Sequence, residues 1–177
     1  MVPLETVFIG LMLFFGIVGA LRGWAKELLV TFSVILARFV ELVLVKYMPV
    51  VKESLAQVEA AEPKTWFYLR LGIFIVIVFF GYATTTISAA LGIKTRKDKL
   101  QDTLLGFFLG GINGFLVVGM VWGFLEHLGY VQGLWGITAP TEKAQALIPY
   151  LPLNWLSEPE LFIAVAVSFA FVLIVFI

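Results

Sequence analysis

Cysteine is absent from the 177 residues. That excludes disulfides, thiolate metal ligands and thiol nucleophiles, and it leaves the redox compartment unmarked. Histidine occurs once, as His127, so no H-E-x-x-H site can be built. No G-x-S-x-G, no P-loop and no carboxylate cluster at metal-ligand spacing is present, so nothing supports catalysis or a resident cofactor. The chain reads as a non-enzyme. Charge is scarce as well: Asp, Glu, Lys and Arg make up 14% of residues, against about 25% in soluble domains. The 12 basic and 12 acidic residues balance, so bulk charge points to no nucleic-acid partner. There is no internal repeat and no low-complexity tail.

What fills the chain is hydrocarbon. Hydrophobic residues make up 61%, more than the polar remainder could cover in water. The length suits one domain, and lipid is its solvent. The expected fold is all-α, a single polytopic transmembrane helix bundle over residues 1–177, partnered first by the lipid bilayer. A bilayer core takes about 20 apolar residues per helix. Five spans are predicted: Leu4 to Leu21, Leu28 to Val45, about Leu69 to Leu91, Thr103 to Phe124, and Leu161 to Ile177, the last short at 17 residues. The first run has no basic residue before it and no A-x-A cleavage signal, so it reads as a retained span.

The connections carry the polar groups. "GALRGWAKELL" (19–29) is too short for a domain and polar enough to end one span and start another. It makes spans one and two an antiparallel hairpin, with Arg22, Lys26 and Glu27 at the membrane surface. In the second connection Val51, Leu55 and Val58 fall at i, i+4, i+7 between Pro49 and Pro63. This predicts a short amphipathic helix lying on the membrane, followed by an aromatic belt of Trp66, Phe67 and Tyr68 at the mouth of span three. The connection at 125–160 holds Gly129, Gly133 and Gly136, then four prolines, which deny it a long helix. Its apolar residues place it in the interface.

Short-loop lysine and arginine set orientation. "GIKTRKDKLQD" (92–102) carries Lys94, Arg96, Lys97 and Lys99, and the first seam adds Arg22 and Lys26. These two connections are expected on the cytoplasmic side, with the N-terminus outside and the C-terminus inside. The run at 94–99 acts as a topology signal, with contact to anionic lipid as a second role.

Three features within the spans stand out. Gly106, Gly110 and Gly114 repeat every four residues in span four, while span three has Gly81, Thr85, Ser88 and Gly92 at i, i+4, i+7, i+11. Small residues at this spacing let helix backbones approach closely. The expected partner of the glycine stripe is therefore span three or, failing that, the first hairpin near Gly19. A glycine-lined permeation path is the other reading. Second, Arg38 and Glu41 lie inside span two, where an unpaired charge costs roughly 2.5–3.5 kcal/mol. At i, i+3 they form an expected ion pair, with Glu41 reaching toward Lys46. A polar path between helices, or a bridge to another subunit, also fits. Third, His127 follows Glu126 at the end of span four and reads as an interfacial residue.

Two stretches go further. "ALRGWAKELL" resembles the R-G-aromatic-x-(K/R)-E-x-L segment between the first two spans of the colicin V production (CvpA) family. "LQDTLLGFFLGGINGFLVVGMVWGFL" resembles that family's second signature, an acidic residue followed by L-G-x-x-x-G and a further small-residue step. "AQALIPYLP" resembles an amphipathic segment that some members carry after span four. The correspondence assigns the family's recurring positions to Arg22, Gly23, Glu27, Asp102, Gly106, Gly110 and Gly114. It departs at Asn113, where many members have arginine, and in the fifth span, since the family typically has four. The resemblance implies a multi-pass protein of the bacterial cytoplasmic (inner) membrane that serves toxin (colicin V) production or secretion and envelope homeostasis. A structural accessory subunit of a larger respiratory or photosynthetic complex, or a small channel or transporter, are the other classes open to it. A homo-oligomer or a larger membrane-protein complex is the expected assembly.

Overall fold

The computed structural model describes residues 3–90, 99–130 and 140–176. The described residues are helical, with no strand among them. Helices α1 (Leu4–Arg22) and α2 (Trp24–Lys46) are separated by Gly23 alone. Helix α3 (Pro49–Ala61) has proline in its first turn, where a missing N–H costs nothing. Helix α4 (Pro63–Ala90) follows within two residues, then α5 (Lys99–His127). The proline-rich connection forms only α6 (Glu142–Gln145), a 3-10 turn (Ile148–Tyr150) and α7 (Pro152–Trp155) before α8 (Glu160–Phe176).

Among the described residues, four helices are long and apolar enough to cross a membrane: α1, α2, α4 and α5. The segment 142–155 and α8 form a fifth candidate span, bent by 58° where they join. Span three begins earlier than its hydropathy suggests, at Pro63. That start corrects the aromatic belt. Trp66 and Phe67 are helical and buried in the core, and only Tyr68 is exposed. One hundred degrees per residue turns the first two inward and the third out.

Helix α2 is the central element. It buries one stripe, Glu27, Val30, Val34, Ala37 and Glu41, spaced at i, i+3, i+7, i+10, i+14. The three apolar members pack with Phe67, Phe74 and Val78 of α4 and Leu116, Met120 and Phe124 of α5. Helix α8 packs antiparallel on another side of α2, where Phe32 meets Phe171 and Phe39 meets Phe162. A second cluster joins Phe8 of α1, Trp122 of α5, Ala144 and Leu151. There the Trp122 indole N–H donates to Tyr130.

Helices α1 and α2 do turn back on each other at Gly23, but α1 makes its long contact elsewhere. It lies antiparallel along α5, so the glycine stripe meets the first hairpin near Gly19, the second of the two expected partners, in place of span three. Gly106 and Gly110 face Gly19, and Gly110 and Gly114 face Phe15. A Cβ on Gly110 would lie 2.4 Å from the Phe15 carbonyl oxygen and 2.9 Å from the Gly19 Cα. Gly81 of α4 instead meets Ser33 of α2. The surroundings of Thr85 and Ser88 lie outside the described side chains, and Gly92 lies outside the described residues. Two backbones approach closest where both carry glycine, and α1 supplies Gly19 opposite the stripe. Gly106, Gly110 and Gly114 therefore line a helix contact. Gly119 and Gly123, one turn apart farther along α5, are filled by Pro152 and Leu153.

Candidate functional site

The two glutamates of the α2 stripe each anchor an ionic cluster. Glu27 is in the first turn of α2 and is 0% exposed. Arg22, the last residue of α1, donates from Nη1 to its Oε1 at 2.6 Å. Asn113 of α5, also 0% exposed, donates from Nδ2 to Glu27 Oε2 and to its carbonyl, both at 2.8 Å. Thr31 Oγ1 donates to Asn113 Oδ1 at 2.7 Å. The Arg22 guanidinium stacks 4.4 Å from the centre of the Tyr82 ring. Three helices thus meet around one buried carboxylate.

Gly23 makes this geometry possible. Its φ of +88° lies in the left-handed half of conformational space, which favours glycine. A Cβ there would also lie 2.8 Å from an Asp102 oxygen. Asp102 Oδ1 instead accepts the Trp24 N–H, a free donor at the start of α2, at 3.3 Å. A carboxylate at a helix N-terminus is favoured by the aligned peptide dipoles. Arg22, Gly23, Glu27, Asp102, Gly106, Gly110 and Gly114, seven positions from two distant stretches of sequence, therefore form one continuous junction. Of the basic run expected beside it, Lys94, Arg96 and Lys97 lie outside the described residues, and Lys99 opens α5.

The second cluster lies at the opposite end. Arg38 donates from Nη1 to Glu41 Oε2 at 2.8 Å. Glu41, 3% exposed, does not reach toward Lys46. Its other oxygen accepts from Arg70 Nε on α4 at 2.6 Å. The nearer cation wins because Arg70 projects from a packed neighbour, with its guanidinium 4.4 Å from the Phe124 ring centre. Lys46 turns outward to Glu158, which also accepts from Tyr47. These hydrogen bonds hold the Glu158 carboxyl below the ordinary carboxylate range, so it is ionised at neutral pH and cancels the Lys46 charge. His127 Nε2 lies 2.7 Å from Glu59 on α3, which ties the end of α5 to that helix.

Sequence reasoning missed Thr31, Tyr82 and Arg70. Arg70 was readable as a loop charge because the aromatic triplet before it looked interfacial. Thr31 carried no signal, since threonine is common in membrane helices. Among the described residues, no three His, Asp or Glu side chains converge as a metal site requires.

Both halves of the first junction fall within one family match. The family model described as "Colicin V production protein" matches residues 4–134, from the start of α1 through α5. The segment "AQALIPYLP" and α8 lie beyond that match. No curated protein and no solved structure matches the chain. With close to three quarters of its length covered, and both halves of the junction inside the covered part, the chain belongs to the colicin V production protein family.

Proposed function

We propose that this multi-pass protein is a non-enzymatic accessory factor of toxin production or secretion in the bacterial cytoplasmic membrane, with a part in envelope homeostasis. The observation that carries the reading is the convergence of all seven motif positions on the α1–α2–α5 junction, so that the part of the chain shared with the family is built as one unit. Those residues pack and pair with one another, which suits a scaffold more than a reaction centre. The orientation that fits the basic residues puts the 22–24 and 91–98 connections in the cytoplasm. The 46–63 and 127–160 connections are then external.

A toxin-export assay tests this reading. Cells that make colicin V but lack their own family member should regain export with the wild-type chain and not with Gly110→Leu. Export that is indifferent to the protein would remove the role. A second reading, a structural subunit of a larger membrane complex, is favoured by α8. That helix lies outside the family match and leaves Ile163, Val167, Phe169 and Ile174 exposed. Purification in mild detergent separates the two: stoichiometric large partners favour the subunit, a self-oligomer the accessory factor. A channel is less favoured, because Val30, Val34 and Ala37, all fully buried, lie between the two ionic clusters.

A further inference from the structure

We propose that the cavity beside the Arg38–Glu41–Arg70 cluster is a binding site for a phosphate group. The inference stands apart from any role in toxin export. The cavity has a volume of about 530 Å³ and lies between α2, α3, α4 and the end of α5, with Asn154 at its edge.

Charge sets the sign of the ligand. Four cations line the space: Arg38, Lys46, Lys52 and Arg70. Two carboxylates line it, Glu41 and Glu59, and Glu158 neutralises Lys46 from outside. Four positive charges thus face three negative ones. A cation would meet the wrong sign.

Hydrogen bonding sets the kind of ligand. Both Glu41 oxygens are engaged, one by Arg38 and one by Arg70. Arg38 Nε and Trp66 Nε1 are buried and have no acceptor in the protein, and both residues line the cavity. Lys52 on α3 is exposed and adds a mobile ammonium from a third helix. Donors from three directions suit a tetrahedral oxyanion, which presents oxygens on all sides, better than a flat carboxylate with two. Guanidinium groups match phosphate oxygens in geometry and charge. The phosphate could be that of an anionic lipid head, since the site sits at a membrane-facing end of the bundle, or of a soluble molecule.

The test uses the full chain in a neutral detergent. Inorganic phosphate and short-chain phosphatidylglycerol are titrated separately, read by tryptophan fluorescence and by thermal unfolding. The expected result is saturable binding that stabilises the protein. Lys52→Gln should weaken it roughly fivefold, and Arg38→Gln roughly tenfold or more. Lys64→Gln, on the same end but outside the cavity, should leave it unchanged. Lys52 is an exposed residue, so that variant stays informative even where Arg38→Gln fails to fold. Binding of the glycerophospholipid alone assigns a lipid head; binding of inorganic phosphate assigns a soluble ligand. If neither probe binds, or if Lys64→Gln weakens binding as much as Lys52→Gln, the proposal is wrong.

Discussion

Glu27 and Glu41 sit 14 residues apart on one buried stripe, about 21 Å along the helix, and their partners differ in charge. Glu27 has one arginine and an amide, whereas Glu41 has two arginines. The difference decides what a substitution does. Read from the helix alone, Arg38→Leu strands a carboxylate in lipid, and removing Glu41 as well relieves it. With Arg70 in place the order reverses. Arg38→Leu leaves Glu41 paired with Arg70 and should cost about 1.5–3 kcal/mol. Glu41→Leu leaves two buried guanidinium groups together and should cost about 3–5 kcal/mol. The double variant still strands Arg70 and should be no rescue. Thermal unfolding of the three in detergent decides it, and a rescue by the double change would place Arg70 outside the pair. At the other cluster, Gly23→Ala should cost about 1–3 kcal/mol, because it combines an unfavourable φ with a clash against Asp102. A wild-type melting temperature would mean that the α1–α2 joint relaxes freely. The Asn113 amide donates to Glu27.

At the scale of helices, the contact between α1 and α5 is the one built by glycine. Lipid gives no hydrophobic reward for closing a gap between helices, so close backbone packing has no substitute. Gly110→Leu should force α1 off α5 and cost about 3 kcal/mol. Phe108, on the same helix, is 64% exposed, and Phe108→Leu should fall within about 0.5 kcal/mol of wild type. The pair is compared by thermal unfolding and by limited proteolysis near residue 3. Equal stability of the two variants would show that α1 can reseat on another face. Helix α3 behaves differently. It buries no residue and is tied down at its far end by Glu59 and His127, so it covers the polar cavity without adding to the core.

For the whole molecule, the helices alternate in direction. Residues 3–8, 46–63, 127–130 and 140–160 share one end, and residues 22–27 and 99–106 share the other. The end with Arg22, Lys26 and Lys99 also leads into the basic 94–97 run. A reporter inserted within 94–99 should therefore read cytoplasmic, and one within 135–145 external. The opposite pattern would invert the protein in the membrane and put the Arg38–Arg70 cavity on the cytoplasmic face. It would leave the helix packing as described.

Membership of the membrane class, four of the spans and the short helix between Pro49 and Pro63 were legible in the sequence, because hydropathy and proline act locally and each residue reports its own solvent. The motif residues Arg22, Gly23 and Glu27 were legible too, since charge and glycine stand out in an apolar run. Which residues meet across helices was decided only by the tertiary structure, whereas the Arg38–Glu41 pair within one helix was legible from its spacing. Glycine spacing announces that a helix has a close neighbour but carries no label for it, and Gly81 looked as suitable a partner for the stripe as Gly19. The same holds for Glu41: Lys46 and Arg70 are both basic and both near the membrane edge. Only the packing of α4 against α2 sets Arg70 at hydrogen-bond distance and leaves Lys46 to Glu158. Pairing in lipid depends on distance across helices, and the order of residues along one helix does not contain it.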